Sequence, residues 1–443
     1  MATSLLMKKF LVPAVASFLL FQCISQAQND VQNVGKKTFA EQILDGLNIG
    51  GSFRVQGESK EDYNFSDSSQ SYWLTRFRIQ SQWDLGEKLG FYIQAQDARV
   101  IGEDSGGTPA VNPDATPNGF EDYFDLRQAY MEVMFEKAEL RLGRQEVDIG
   151  YDRLIGSQRW RNTSRTFDGA MVEFDLSPAR NVQLFHMGIT PISPHGFDDF
   201  SDIGNQYYDS TISGIVMDDR ELLAGADLKY YWLFRNNDDF GDSVHTFGGL
   251  YSRKMGDYQA DFGVAAQSGE FASLDQEAWM LHAGITKEIE GLGSLYLGYA
   301  YATGDEDPAD GAHNTFDNLY PKNHKVYGQI DFFSLQNLHN LEIAFKGKLR
   351  KSLDYRVAYH AFWLDEPRTD NWYRTNQKPV RPITPAGDAY VGNELDLFVR
   401  YKISKSLWLD AGASQFYAGD YVEDSGDSAS DPTFFYVSSN FLF

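Results

Sequence analysis

Residues 47–56 read Leu47-Asn48-Ile49-Gly50-Gly51-Ser52-Phe53-Arg54-Val55-Gln56. In an extended chain Leu47, Ile49, Phe53 and Val55 fall on one face and Asn48, Ser52, Arg54 and Gln56 on the other. That is a period of two, the mark of a β-strand with one apolar and one polar face. The pattern returns with Trp73, Phe77, Ile79 and Trp83 against Arg76, Arg78, Gln80 and Gln82. It returns again with Leu353, Tyr355, Val357, Tyr359 and Trp363 against Asp354, Arg356 and His360, and with Leu395, Leu397, Val399 and Tyr401 against Asp396, Arg400 and Lys402. A water-soluble sandwich would carry such stripes too. Here several apolar stripes start or stop in Trp, Tyr or Phe while the opposite face is expected to stay polar or charged along its length, as an outer-membrane barrel requires.

Connector lengths point the same way. Tight turns at 86–88, 136–137, 177–179, 290–292, 350–351 and 404–405 take turns with long polar stretches at 58–70, 101–122, 148–163, 191–208, 305–337 and 365–389. The fold expected is all-β: a transmembrane antiparallel barrel of about eighteen strands with short periplasmic turns and long extracellular loops. The first strand is expected near residue 46, the eighth near Thr211–Met217 and the last at 432–443. Phe435, Val437, Phe441 and Phe443 alternate outward in that last strand, and an aromatic C-terminal residue is what the outer-membrane assembly machinery reads, so Phe443 is the expected contact.

The first 27 residues form an export signal: Lys8 and Lys9, an apolar run from Phe10 to Phe21, then Ser25-Gln26-Ala27 as the cleavage site. Cys23 as a lipidated residue is disfavoured by the bulky Phe21 and Gln22 before it. Residues 28–45 are expected as a periplasmic tail and 46–443 as the barrel, in the bacterial outer membrane. The 443 residues carry 63 Asp+Glu against 39 Lys+Arg, a formal charge of -24, with 15% aromatics. This composition excludes a disordered chain, and so acidic a chain is no nucleic-acid binder. A single cysteine builds neither a disulfide framework nor a Cys-based zinc site. No later run of 18 apolar residues supplies a transmembrane helix.

Leu140-Arg141-Leu142-Gly143-Arg144-Gln145-Glu146, Gly150-Tyr151-Asp152-Arg153-Leu154-Ile155-Gly156, Arg159-Trp160, Asn162 and Arg165-Thr166-Phe167-Asp168-Gly169-Ala170 together resemble the core motif of the alginate-export porin family. Gly298-Tyr299-Ala300-Tyr301-Ala302-Thr303-Gly304-Asp305, followed by Phe316, Leu319, Tyr320, Pro321 and His324, resemble its second block. The resemblance implies an eighteen-stranded, monomeric barrel with an arginine-rich constriction that passes an anionic polymer such as alginate. It leaves the cargo and the direction of transport open, and a general or small-anion porin is the alternative.

The residues agree with an anion path. Between Arg141 and Arg165 stand six arginines (Arg141, Arg144, Arg153, Arg159, Arg161, Arg165) against the acids Glu146, Asp148 and Asp152. The planar guanidinium holds carboxylates bidentately and stays charged. A ring of such groups favours anions in a narrow pore. The second reading is that these arginines tie a folded-in loop to the wall. Alternation turns Arg54, Arg76, Arg78, Arg141, Arg356, Arg400, Lys346, Lys348 and Lys402 to the lumen, opposite Glu132, Glu139, Glu173, Asp354, Asp396 and Asp410. Such mixed charges serve either weak serial binding or a structural salt-bridge network. Arg144 and Asp168 belong to the same candidate path but fall on the lipid face if alternation is strict. A bulge, or a pairing of the two at the loop base, would resolve this.

No catalytic or metal constellation emerges, and no cofactor is expected. The histidines are scattered, with His195 and His245 in or beside loops and His282 and His360 on lumen faces, and a Gly-x-Ser-x-Gly elbow is absent. His360 near Arg356 is the one tempting lyase pair, with a lumen-wall role as its alternative. A secreted β-rich carbohydrate-active enzyme is thus the rival from another class. Acids cluster at Glu103-Asp104, Asp198-Asp199 with Asp202, Asp238-Asp239, and Asp305-Glu306-Asp307 with Asp310, as a solvated rim that shares divalent cations with surface lipid or as a plain solvated face. The last cluster lacks the regular spacing of a calcium loop.

Overall fold

Alternating strands with one apolar face bury it in lipid only if every edge is paired, and here the sheet closes on itself. The computed structural model describes residues 47–63, 65, 69–101, 120–150, 152–192, 210–375, 377–381, 383, 387–425 and 430–443. The expected signal and tail, His195, and the acids at 103–104 and 198–202 lie outside the described residues.

The strands run β1 (Asn48–Glu61), β2 (Ser69–Leu85), β3 (Leu89–Ile101), β4 (Asp122–Met134), β5 (Ala138–Gln145), β6 (Phe167–Ser177), β7 (Arg180–Ile189), β8 (Ser210–Asp219) and β9 (Ala226–Asn237). They continue with β10 (Asp242–Met255), β11 (Tyr258–Phe271), β12 (Leu274–Ile289), β13 (Gly293–Ala302), β14 (Leu338–Arg350), β15 (Leu353–Trp363), β16 (Tyr390–Lys402), β17 (Leu407–Ala418) and β18 (Thr433–Leu442). Each pairs antiparallel with its neighbours in sequence, and β1 pairs with both β2 and β18. A two-residue segment, Ala312–His313, adds a short parallel bridge to β12, and a single helical turn, α1 (Asp420–Asp424), follows β17.

At the seam Gly51 N donates to Phe443 O at 2.9 Å and Phe443 N returns to Gly51 O at 3.1 Å. The Phe443 ring lies over Gly51, where a Cβ would come within 2.3 Å of Cζ, and stacks on Phe77 with centroids 6.2 Å apart. Glycine at 51 leaves the space in which the terminal ring closes the barrel.

The apolar stripes face outward. Ile49, Phe53, Trp73, Phe77, Ile79, Leu395, Leu397, Tyr401, Phe435, Val437 and Phe441 are all exposed, an arrangement stable only against lipid. Tight turns occupy one end throughout, at 86–88, 135–137, 178–179, 220–225, 256–257, 290–292, 351–352 and 403–406. At the other end the long loops give way twice, at 238–241 and 272–273, so β9 to β12 are short-turned at both ends and strict alternation of connector lengths fails there.

The inner face departs from the sequence expectation more sharply. From β6 to β11 it is apolar: Phe167, Phe185, Met187, Ile189, Ile212, Val216, Tyr231, Leu233, Leu250 and Ala265 are buried inside the barrel. The reason lies in the loops. Val147, Ile149, Leu154 and Ile155 from the β5–β6 loop and Phe316, Leu319 and Tyr320 from the β13–β14 loop pack against that wall. Burying such side chains is worth about 2 kcal/mol each, so these loops form a plug rather than a fringe. Behind it Phe65, Phe332, Phe333, Phe362, Trp372, Phe416 and Tyr421 form a second, aromatic part of the same core, with Phe333 stacked on Phe362 at 3.7 Å. The inner faces of β1–β5 and β14–β18 carry most of the inward polar and charged side chains, interrupted by the core aromatics Phe362, Phe416, Phe434 and Tyr436.

Candidate functional site

The plug is built from the two motif blocks noted in the sequence. Ile149 and Ile155 bridge across a turn, and Ile155 bridges to Tyr320, so the β5–β6 loop pairs with the β13–β14 loop inside the barrel. Gly156 permits the contact: its N donates to Tyr320 O at 2.8 Å, and a Cβ would lie 2.5 Å from Lys322 Cγ. Gln158 Nε2 donates to Pro321 O at 2.8 Å. Asp152 receives Lys322 Nζ at 2.8 Å and Lys325 Nζ at 2.5 Å. Burial pushes the Asp152 carboxyl up, but these two lysines outweigh it and hold it below the usual range.

Wall arginines then pin the tip of the loop. Arg54 and Arg76 stand directly opposite each other on β1 and β2, a like-charge pair that would destabilise a bare sheet. Arg54 Nη1 donates to Trp160 O at 2.8 Å and Nη2 to Asn162 Oδ1 at 3.1 Å. Arg76 Nη1 donates to Arg159 O at 3.0 Å and to Arg161 O at 3.1 Å. Arg78 reaches Gln96 Oε1 at 2.8 Å and Ser164 Oγ at 2.7 Å. Three successive loop carbonyls thus serve two facing cations. Asn162, fully buried, donates to Thr75 O at 3.0 Å and Phe120 O at 2.9 Å, stitching the loop to the wall on the other side.

The predicted site residues sort into four groups. Arg54, Arg78, Arg153 and Arg165 are buried, at 5% to 8% exposure, so they hold the plug instead of lining open water. Arg153 Nη1 donates to Tyr327 Oη at 3.2 Å, and Arg165 donates to the carbonyls of Tyr320, Pro321 and Gly156. Burial pulls the Arg165 guanidinium down to about 9, which leaves it charged at neutral pH. Arg144 and Asp168 are a correction to the lumen assignment. They sit on the outward face as register partners at the base of the loop and form a bidentate pair at 2.8 and 3.1 Å, with no bulge between β5 and β6 at that point. Arg141, Arg356 and Arg400 face the lumen but are engaged, Arg141 by Glu132 and Glu139, Arg356 by Glu342, and Arg400 by Asp410 at 2.6 and 2.9 Å. Arg76, Arg159 and Arg161 flank the opening, the Arg159 side chain at 60% exposure and held by Glu146 and Asp148. The Arg161 guanidinium makes no hydrogen bond or ion pair among the described residues, with Asp331 acting on it from a longer distance.

Further along the wall Lys402 pairs with Asp354 at 2.5 Å, while Lys346 and Lys348 are exposed. Glu173 accepts from Asn181 and Gln183. His360 is buried, 3.8 Å from Asp396, and His245 lies within β10, stacked on Phe234. Asp305, expected in a solvated cluster, is buried, with its N donating to Asp370 Oδ2 at 3.1 Å. Among the described residues no group of three or more His, Cys, Asp or Glu side chains converges as a metal would require.

Sequence reasoning missed Arg127, Lys322, Lys325 and Arg235. Arg127 lies where the β3–β4 register shifts and reaches inward to Glu146 and to Gln94 Oε1 at 2.5 Å. Burial pushes the Glu146 carboxyl up, but Arg127 and Arg159 prevail and hold it at about 2. Arg235 anchors the other side of the plug through Asp317 at 2.9 Å and Asp242 at 3.1 Å. Lys322 and Lys325 flank His324 of the second block, and only their contact with Asp152 reveals them.

The profile of the alginate export family matches residues 45–435, a span that contains both halves of the plug and nearly all of the barrel. The chain belongs to the alginate export family. It is an outer-membrane β-barrel of the porin type. No curated protein matches its sequence. Among solved structures it is similar to Acinetobacter baumannii OccAB2, with 10% identity, a TM-score of 0.65, and 91% of this chain and 99% of that one covered. It is also similar to Pseudomonas aeruginosa OccD3 (OpdP), with 13% identity, a TM-score of 0.62, and 89% and 91% covered. Pseudomonas aeruginosa OccK8 (OprE) resembles it at 14% identity and a TM-score of 0.60, with 90% and 98% covered. At such identities the likeness concerns the barrel fold.

Proposed function

We propose that this member of the alginate export family is a passive channel for anionic saccharides, polyuronates such as alginate foremost, passing along the polar side of the plug. One observation carries the reading. Arg54, Arg76, Arg78, Arg153, Arg161 and Arg165 have no carboxylate in ion-pair contact among the described residues; five donate to neutral oxygens, and the Arg161 guanidinium makes no hydrogen bond there. Carboxylates act on them only from beyond ion-pair distance, Glu58 and Asp410 on Arg54, Glu146 on Arg76 and Arg78, Glu342 on Arg153 and Asp331 on Arg161, so a constriction inside a chain of net charge -24 keeps a positive field. Beyond it the paired charges of Arg141, Arg356, Arg400 and Lys402 offer weak serial contacts, which conduction needs more than tight ones. Outward passage is in keeping with the family.

The experiment is flux through the full-length protein in liposomes, comparing short oligouronates with neutral oligosaccharides of equal length. Faster entry of the uronates supports the reading. Equal or slower entry would reduce it to a general porin.

A further inference from the structure

The tip of the inward loop carries more than charge. The Trp160 indole stacks on the His324 imidazole with centroids 4.3 Å apart and planes within 11°, and Tyr436 meets it side-on at 4.7 Å and 75°. Its position is fixed from behind, because Trp160 O accepts from Arg54 and the adjacent Arg161 O from Arg76. His324 is held in turn by Asp331, Nδ1 to Oδ1 at 2.9 Å, and Thr375 Oγ1 occupies the same carboxylate at 3.2 Å. The indole is nevertheless partly exposed, as is Arg161, and the side chain of Arg159 beside them reaches open water.

We propose that Trp160, backed by His324, together with Arg161 forms a saccharide subsite that takes one uronate ring of the cargo; this rests on the channel reading above. A uronate presents a C–H face and a planar carboxylate on a single ring. The rigid aromatic plate matches the first, and the guanidinium fork, which makes no hydrogen bond or ion pair among the described residues, matches the second. A small inorganic anion would use only the guanidinium, and a neutral sugar only the indole, so the pair reads the combination. Arg159 cannot substitute, because Glu146 and Asp148 already hold it. Since the plate is positioned before the cargo arrives, little ordering entropy opposes the stacking contact.

The test is single-channel block by hexamannuronate and by neutral mannohexaose, with Trp160→Ala, Trp160→Phe and Arg161→Gln beside the wild type. Trp160→Ala is expected to shorten the dwell time of both oligomers about three- to tenfold, with Trp160→Phe restoring most of it. Arg161→Gln is expected to shorten only the uronate dwell, by about tenfold. Uronate dwell times unchanged in Trp160→Ala and Arg161→Gln, with wild-type block intact, would overturn the subsite and leave the channel standing. Hexamannuronate that neither blocks nor permeates the wild type would overturn the channel reading and the subsite with it. Should Trp160→Ala fail to insert, as judged by loss of heat-dependent gel mobility, Arg161→Gln decides: loss confined to the uronate supports the subsite, and no loss or equal loss for both oligomers refutes it.

Discussion

Replacing Asn162 by alanine should release the loop that narrows the lumen without changing any charge. The side chain is fully buried and makes three hydrogen bonds of good length. It accepts from Arg54 Nη2 at 3.1 Å and donates to Thr75 O at 3.0 Å and Phe120 O at 2.9 Å. The bond from the guanidinium is worth about 1.5 to 3 kcal/mol and each neutral one about 0.5 to 1.5, so the loss near the low end of these ranges is about 3 kcal/mol. At about 1.4 kcal/mol per decade this raises the ratio of released to pinned loop roughly a hundredfold. The apolar part of the plug, Val147, Ile149, Leu154 and Ile155, is untouched, so the tip should loosen while the barrel stays folded. In single-channel recordings of Asn162→Ala we expect far more time in higher-conductance sublevels, with the preferred ion sign unchanged. A trace with wild-type noise and conductance, from protein that keeps its heat-dependent gel mobility, would refute the pinning argument.

Arg153→Gln and Arg165→Gln should lower thermal stability and raise protease sensitivity of the loops, while moving ion selectivity less than Arg159→Gln combined with Arg161→Gln; the reverse order in reversal potentials would contradict the division between buried and open arginines. The depressed Glu146 carboxyl stabilises the plug fully above its ordinary value of 4.5, and that contribution is lost as pH falls toward about 2. Channel noise should therefore be flat from about pH 7 to 5 and rise only below about pH 4, and Glu146→Gln should remove part of that acid response. Phe443→Ala uncovers Gly51 and loses the stack on Phe77, so the heat-modifiable fraction of inserted protein should fall severalfold; a full yield would argue against a role for the terminal ring.

The barrel was legible in the sequence because lipid imposes a period of two on every strand. Strand β8 falls at Ser210–Asp219 where Thr211–Met217 was expected, and the last strand at Thr433–Leu442 inside the expected 432–443. What alternation could not reveal is that the inner face also turns apolar. Met187, Ile212, Val216 and Leu233 face inward because loops distant in sequence fold back to cover them, and no local pattern announces that return. The arginine-rich segment was visible, but its internal division was not. Arg165 and Arg159 look alike as residues, and only the fold buries one beneath Tyr320 and leaves the other in the opening. Arg144 and Asp168 were flagged by their register, and their pairing on the outer face accounts for the misfit. Arg127 was invisible because a shift in the β3–β4 register reorients it.

The central claim is that a positive constriction governs a channel whose overall charge is -24. Its most direct test is the zero-current potential of the full-length protein in a planar bilayer under a potassium chloride gradient. The account predicts the sign of an anion-selective pore, weakened toward neutrality when Arg159 and Arg161 are both changed to glutamine. A cation-selective potential, or one indifferent to that double substitution, would mean that the acids of the rim set the field and the arginines only fasten the plug.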